Sequence, residues 1–162
     1  MRSVILIAHN IRSTHNIGSI FRTAEGLGVE EIIISGYTPY PTTPDDSRLP
    51  HIRKKITSQI HKTALGAETI VPFRVLSNPP LNELQESGYR IVGLEQSNRS
   101  TPLQTYPAPQ KIVLMIGEEV DGIKPEILEL CDDIVEIPMV GRKESFNVSV
   151  ATGMALYQFL VL

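Results

Sequence analysis

An α/β fold, a mostly parallel sheet with helices on both faces, is predicted by three features of the 162-residue sequence. Short runs rich in Ile and Val alternate with stretches whose apolar residues recur at helical spacing. The strand-like runs are apolar throughout, as expected of strands covered on both sides. The first strand–helix–strand repeat fits within roughly 30 residues, the length of a parallel βαβ unit.

Val4–Ala8 is short, β-branched and followed by polar residues, and reads as the first buried strand. After a polar loop, Ile17, Ile20, Phe21, Ala24 and Leu27 mark a helix over Ile17–Leu27, with Gly28 placed to end it and Asn16 to cap it. Glu31–Ser35 is the second strand. The proline-rich stretch Gly36–Pro50 reads as a long loop, and Ile52–Leu65 as a basic helix. Strand Thr69–Phe73, helix Leu81–Ser87 and strand Arg90–Leu94 follow, then a loop rich in Ser, Thr and Pro over Ser97–Gln110. Strand Ile112–Ile116, helix Lys124–Leu130, strand Ile134–Ile137 and a helix over Asn147–Leu160, with Asn147 as its cap, come last. At this length a single domain spanning residues 1–162 is expected.

A formal charge of −3 with 41% hydrophobic and 20% charged residues is ordinary globular composition. The lone Cys131 excludes an internal disulfide and a multi-cysteine zinc site, pointing to a reducing, cytoplasmic setting; it reads as a packing thiol. The uncharged tail Ser145–Leu162 is interrupted by Asn147, Ser149, Thr152 and Gln158, so it reads as an interface helix, not a membrane anchor. Gly26 and Gly28 lie at a helix end and form no dinucleotide fingerprint. His9, His15, His51 and His61 lack metal-ligand spacing, no metal is expected, and His9 and His15 read as loop histidines. Phe73, Tyr157 and Phe159 read as core or interface.

In open parallel sheets, ligands sit beyond the carboxyl ends of the strands. Three loops there are rich in small and polar residues: His9–Gly18, Gly117–Ile123 and Pro138–Asn147. Between Ser47 and Lys62 lie Arg48, Arg53, Lys54, Lys55 and Lys62 with no acidic residue, a run suited to phosphates; Arg12, Arg142 and Lys143 extend it.

At these loops the sequence resembles the SpoU (TrmH-type) branch of the SPOUT RNA methyltransferases. The matching stretches are Asn16-Ile17-Gly18-Ser19-Ile20-Phe21-Arg22-Thr23-Ala24, then Ile116-Gly117-Glu118-Glu119-Val120-Asp121-Gly122-Ile123, then Ile137-Pro138-Met139 leading to Ser145-Phe146-Asn147-Val148-Ser149-Val150-Ala151. The resemblance covers essentially the whole chain and implies a bare catalytic domain, without an accessory RNA-binding module, whose C-terminal part is threaded into a trefoil knot. It implies S-adenosylmethionine as cofactor, held by Leu94, Gly117, Ile137, Met139 and Phe146, where glycine would allow close backbone approach. The implied reaction is methylation of a ribose 2′-hydroxyl of RNA, with tRNA ahead of rRNA as substrate. Arg22 matches the family's essential arginine. A guanidinium with a pKa above about 12 is a poor base, so Arg22 reads as a phosphate clamp. Asn16, Glu119, Ser145 and Asn147 match its other polar positions and would fix the ribose and Arg22. Base N-methylation on the same fold, or a catalytically silent RNA-binding or assembly module, are the alternatives. The resemblance also implies a homodimer through the knot and the C-terminal helix, each active site drawing residues from both subunits. From Val148 to Leu162, eleven of fifteen residues are apolar, and Gly153 and Ala155 would admit a second backbone.

Overall fold

The computed structural model describes residues 2–162. Its elements are β1 (Ser3–His9), α1 (Thr14–Leu27), β2 (Glu31–Ser35), α2 (Pro50–Ala64), β3 (Phe73–Leu76), α3 (Leu81–Glu86), β4 (Arg90–Leu94), β5 (Thr101–Pro102), β6 (Lys111–Ile116), α4 (Pro125–Leu128), β7 (Asp133–Glu136) and α5 (Val148–Leu160). The seven strands form one sheet in the order β3-β2-β1-β6-β4-β7-β5, and every neighbouring pair is parallel. The α/β class with a parallel sheet is as the alternating runs predict.

Side chains of successive strand residues point to opposite faces, so each strand feeds two cores. Val4, Leu6 and Ala8 of β1, with Ile32 and Ile34 of β2, join Ile17, Ile20, Phe21 and Ala24 of α1, Ile60 of α2 and Leu156 and Phe159 of α5. Ile5, Ile7 and Ile33 face the other way, into Leu81 and Leu84 of α3 and Ile123 near α4. Cys131 packs at the edge of this second core, where burial and Asp132 push its thiol up to about 11, as an unreactive packing residue requires.

The observed boundaries correct several expectations. Helix α1 starts three residues before Ile17, because the Ser13 hydroxyl accepts from Asn16 N at 3.1 Å and takes the capping role assigned to Asn16. This leaves the Asn16 side chain free for another use. Gly28 ends the helix in the left-handed conformation, φ 73°, as expected. The third strand is Phe73–Leu76, not Thr69–Phe73: Ala67–Thr69 forms a 3₁₀ turn, and pairing begins only after Pro72, which has no N–H to offer. Asn147 does cap α5, its Oδ1 accepting from Ser149 N at 2.9 Å. Ala155 is fully buried in its own core and so is not available to a second backbone, whereas Gly153, beside Thr23 of α1, is half-buried.

Helices α1 and α2 cross at Gly18. A Cβ there would lie 2.1 Å from Thr63 Oγ1 and 2.3 Å from Ile60 O, and Thr63 Oγ1 donates to His15 O at 2.8 Å across the same seam. This contact yields a test whose sign separates two effects. Helix propensity alone makes Gly18→Ala stabilising by about 1 kcal/mol. The collision with the Ile60 carbonyl makes it destabilising by about 1–3 kcal/mol. Urea unfolding should show the loss; a gain would mean that the helices are not in this contact.

Candidate functional site

The loops after β1, β4, β6 and β7 converge at one end of the sheet. Glu119, in the loop after β6, accepts from Arg12 N at 3.0 Å, Ser13 N at 3.1 Å and Asn16 Nδ2 at 3.2 Å. The Asn16 carbonyl oxygen in turn accepts from Asn147 Nδ2 at 3.2 Å. One hydrogen-bonded chain therefore joins the loop after β1, the loop after β6 and the N-terminus of α5. Partial burial pushes the Glu119 pKa up, but the backbone N–H groups of Arg12 and Ser13 and the Asn16 amide outweigh it. The carboxylate stays ionised below its usual range.

Beside this chain lies a cleft of about 280 Å³. Leu94, Ile137, Phe146 and Val148 supply its apolar wall, and Glu95, Glu118, Glu119, Asp121, Glu136 and Glu144 its only charged groups. Six carboxylates and no cation make this a place for a ligand with positive charge and an apolar body. Three of the carboxylates order the loops by accepting from their backbone. Glu118, 7% exposed, accepts from Val120 N at 3.1 Å and Asp121 N at 2.5 Å and pairs with Arg12 Nη2 at 2.5 Å. Glu95 Oε2 accepts from Ile123 N at 2.9 Å, linking the loops after β4 and β6. Gln96 Nε2 donates to Glu144 O at 2.6 Å, linking the loop after β4 to that after β7.

The structure brings most of the sequence-predicted residues together. Leu94, Gly117, Glu119, Ile137, Ser145 and Phe146 line the cleft, and Asn16 and Asn147 adjoin it through the hydrogen-bonded chain. Met139 is not among the lining residues. Gly117 serves the protein itself: a Cβ there would lie 2.5 Å from Gly122 C and O, so glycine is demanded by the tight return of the Gly117–Ile123 loop. Arg22 is exposed and does not line the cleft of its own chain. Lys54, Lys55 and Lys62 are exposed on α2, with Arg53 half-buried, while Arg142 and Lys143 are exposed in the loop after β7. Arg48 is engaged elsewhere: its guanidinium pairs with Asp46 at 2.5 Å, donates to Tyr40 O at 3.0 Å and lies 3.6 Å from the Tyr40 ring centroid. That withdraws Arg48 from the basic run and makes it a staple of the proline-rich loop. His9 is buried, its Nδ1 2.9 Å from Ser35 Oγ, and burial together with Lys124 holds its pKa down. Glu95 and Glu136 escaped the sequence reading, although both stand at the carboxyl end of a strand, the one signal that marks them.

Comparisons with known proteins converge on one family. The SpoU rRNA Methylase family model matches residues 3–157. The chain is 34% identical to the 23S rRNA (guanosine-2′-O-)-methyltransferase of Neisseria meningitidis serogroup B over 155 residues, 94% of this chain and 56% of that protein. It is similar to the crystal structure of the A. aeolicus TrmH/SpoU tRNA modifying enzyme, with a TM-score of 0.80 and 28% identity over 99% of this chain and 75% of that one. It shares its fold with an AdoMet-bound rRNA methyltransferase from Sinorhizobium meliloti, with a TM-score of 0.79 and 23% identity over 96% of this chain and 55% of that one. The chain spans a little over half the length of the curated relatives it matches.

The Glu119 cluster gives a pH-dependent test. Glu119→Gln presents an amide where three donors need acceptors, and should cost about 1 kcal/mol at neutral pH after allowance for solvent screening. Because the folded-state pKa of Glu119 lies below its unfolded value, the carboxylate's contribution is present above the ordinary carboxylate range. It is lost as pH falls through the lowered value. Urea unfolding of both proteins should therefore show a gap at neutral pH that closes in acid; a gap that persists would remove the carboxylate charge from the account.

Proposed function

The chain belongs to the SpoU rRNA methylase family, and from that premise we propose that it is an S-adenosylmethionine-dependent RNA 2′-O-ribose methyltransferase. The observation that carries the proposal is the Glu119–Asn16–Asn147 chain standing at the rim of a cleft whose charged lining is wholly acidic. The cofactor fits that lining: its cationic sulfonium and ammonium suit the carboxylates, and its adenine suits Leu94, Ile137 and Phe146. When bound, it supplies an electrophilic methyl group.

The protein's share of the reaction is alignment and charge. Glu119 holds the Asn16 amide in one orientation, which in turn holds Asn147, so that Asn147 presents a fixed amide to a ribose, with the exposed Ser145 hydroxyl nearby in the cleft lining. Arg22, a permanent cation, grips the adjacent phosphate and stabilises negative charge developing on O2′ as its proton passes to an oxygen of that RNA phosphate. Lys54, Lys55, Lys62 and Arg53 of α2, with Arg142 and Lys143, receive the RNA backbone. The Neisseria relative's ribose 2′-O specificity supports the chemistry. The A. aeolicus neighbour, a tRNA modifying enzyme, is the ground for placing tRNA ahead of rRNA, against the 23S rRNA of the Neisseria relative.

The active form is a two-fold dimer, with the C-terminal segment threaded as a knot beneath the interface. Val150, Met154, Tyr157, Val161 and Leu162 are all exposed, and the first four form a stripe along α5 at helical spacing. Gly153 meets Thr23, so α1 and its Arg22 run beside this stripe. A second copy docked there brings Arg22 of one protomer to the cleft of the other, which accounts for its place outside its own.

Two experiments test this reading. Arg22→Ala should lower methyl transfer to total RNA by roughly two orders of magnitude or more, with S-adenosylmethionine affinity nearly unchanged by calorimetry. Arg22→Lys should rescue it poorly, since a point charge lacks the planar fork. Full activity in Arg22→Ala would sink the assignment. Met154→Glu puts a charge in the apolar stripe and should yield monomers by sedimentation that bind the cofactor but do not methylate. An active monomer would overturn the shared site.

A further inference from the structure

We infer that Tyr37, braced beside Arg12, is a stacking platform for one unpaired nucleobase of the RNA substrate, an inference that rests on the RNA methyltransferase reading above. Tyr37 follows the carboxyl end of β2, at the edge of the sheet where the candidate site lies. Its side chain is 58% exposed, yet the backbone around it is pinned on every side. Tyr37 N donates to Asn10 Oδ1 at 3.2 Å, and Asn10, itself at φ 59°, donates through its N–H to Ser35 O at 3.2 Å. Gly36 is at φ 66°, and a Cβ on it would fall 1.8 Å from Asn10 Oδ1, so no other residue fits between β2 and the ring. On the far side, buried Thr38 donates through Oγ1 to Ala8 O at 3.1 Å and accepts from Ile11 N at 2.9 Å. A bare aromatic ring on so fixed a backbone is pre-organised for a partner.

The other tyrosines are spoken for. Tyr40 carries the Arg48 guanidinium on its face, and Tyr106 packs on Phe159 with its hydroxyl donating to Asp133 at 2.7 Å. Tyr89 donates to Glu30 at 2.8 Å under Lys111, and Tyr157 belongs to the apolar stripe of α5. Of the five tyrosines, Tyr37 is the one exposed at this edge with no aromatic ring or cation of the described residues stacked on its face.

Its surroundings identify the occupant. Arg12, with a 62% exposed side chain, is drawn in at 2.5 Å by Glu118 and lies near the Tyr37 hydroxyl, and the two raise its guanidinium pKa. An aromatic face beside a fixed cation matches a base and its phosphate, and stacking accepts any base that is not already stacked in a duplex. Arg12 N and Asn16 Nδ2 share the Glu119 carboxylate, so the stacked base would neighbour the ribose at the reacting position.

The sequence contains no tryptophan, so Tyr37→Trp places a single indole whose emission reports this position alone. A short single-stranded oligoribonucleotide should quench that emission saturably, while the same sequence as a duplex, or inorganic polyphosphate, should leave it unchanged. In methyl transfer to total tRNA, Tyr37→Ala should raise KM about tenfold with cofactor affinity unaltered, and Tyr37→Phe should restore KM. An unchanged KM in Tyr37→Ala, or equal quenching by polyphosphate, overturns the platform while leaving the methyltransferase reading intact. Quenching by single-stranded RNA in a protein that methylates nothing would keep the platform and remove the activity.

Discussion

The carboxylate of Glu119 is the interaction on which the candidate site depends. Among the described residues no cation is paired to it; it is held by two backbone N–H groups and an amide, all from the segment that follows β1. A charged acceptor satisfied by neutral donors is strong and directional. It fixes where α1 begins relative to β6 and hence where every side chain of that first turn points. Because Ser13 caps the helix, Asn16 is released from local duty and can span from Glu119 to Asn147. Remove the carboxylate, and three loops lose their common reference.

Electrostatic sorting is the second organising feature. With a net charge of −3 the chain is a poor polyanion binder on average. The structure separates the signs: the cleft collects six carboxylates, while Lys54, Lys55 and Lys62 of α2 and Arg142 and Lys143 of the loop after β7 stand exposed outside it. Three of the six carboxylates also organise loop backbone, so the acidity that suits a cationic ligand is the same acidity that holds the cleft open and shaped. A ligand and a polyanion can thus be received side by side, with the Arg12–Glu118 pair standing between the two charged regions.

The parts of this arrangement that sequence reading recovered are those with a local signature. Strands such as Glu31–Ser35 and Arg90–Leu94 were legible to the residue, because an apolar run bounded by polar residues and glycine has few other uses. The misreadings have equally physical origins. Thr69–Phe73 has the composition of a strand, but Pro72 denies it a donor. Arg48 counts as one more positive charge until Asp46 and Tyr40 are seen to enclose it. Ala155 is small and apolar whether it faces a partner or its own core, and spacing alone could not decide between them.

By itself the sequence determined the class of fold, the three polar loops at the carboxyl ends of the strands, and the residues from which a site would be assembled. These follow from periodicity, capping and turn chemistry, which act over a few residues. Only the tertiary structure decided the strand order, the acidic character of the cleft, the place of Arg22 outside it and the bare ring of Tyr37. Each of these depends on which distant segments meet, as when Asn16 and Asn147, 131 positions apart, share a hydrogen bond. The same reason explains Gly117 and Gly18. A glycine in a sequence states only that a side chain is missing, and the folded chain shows what stands in its place.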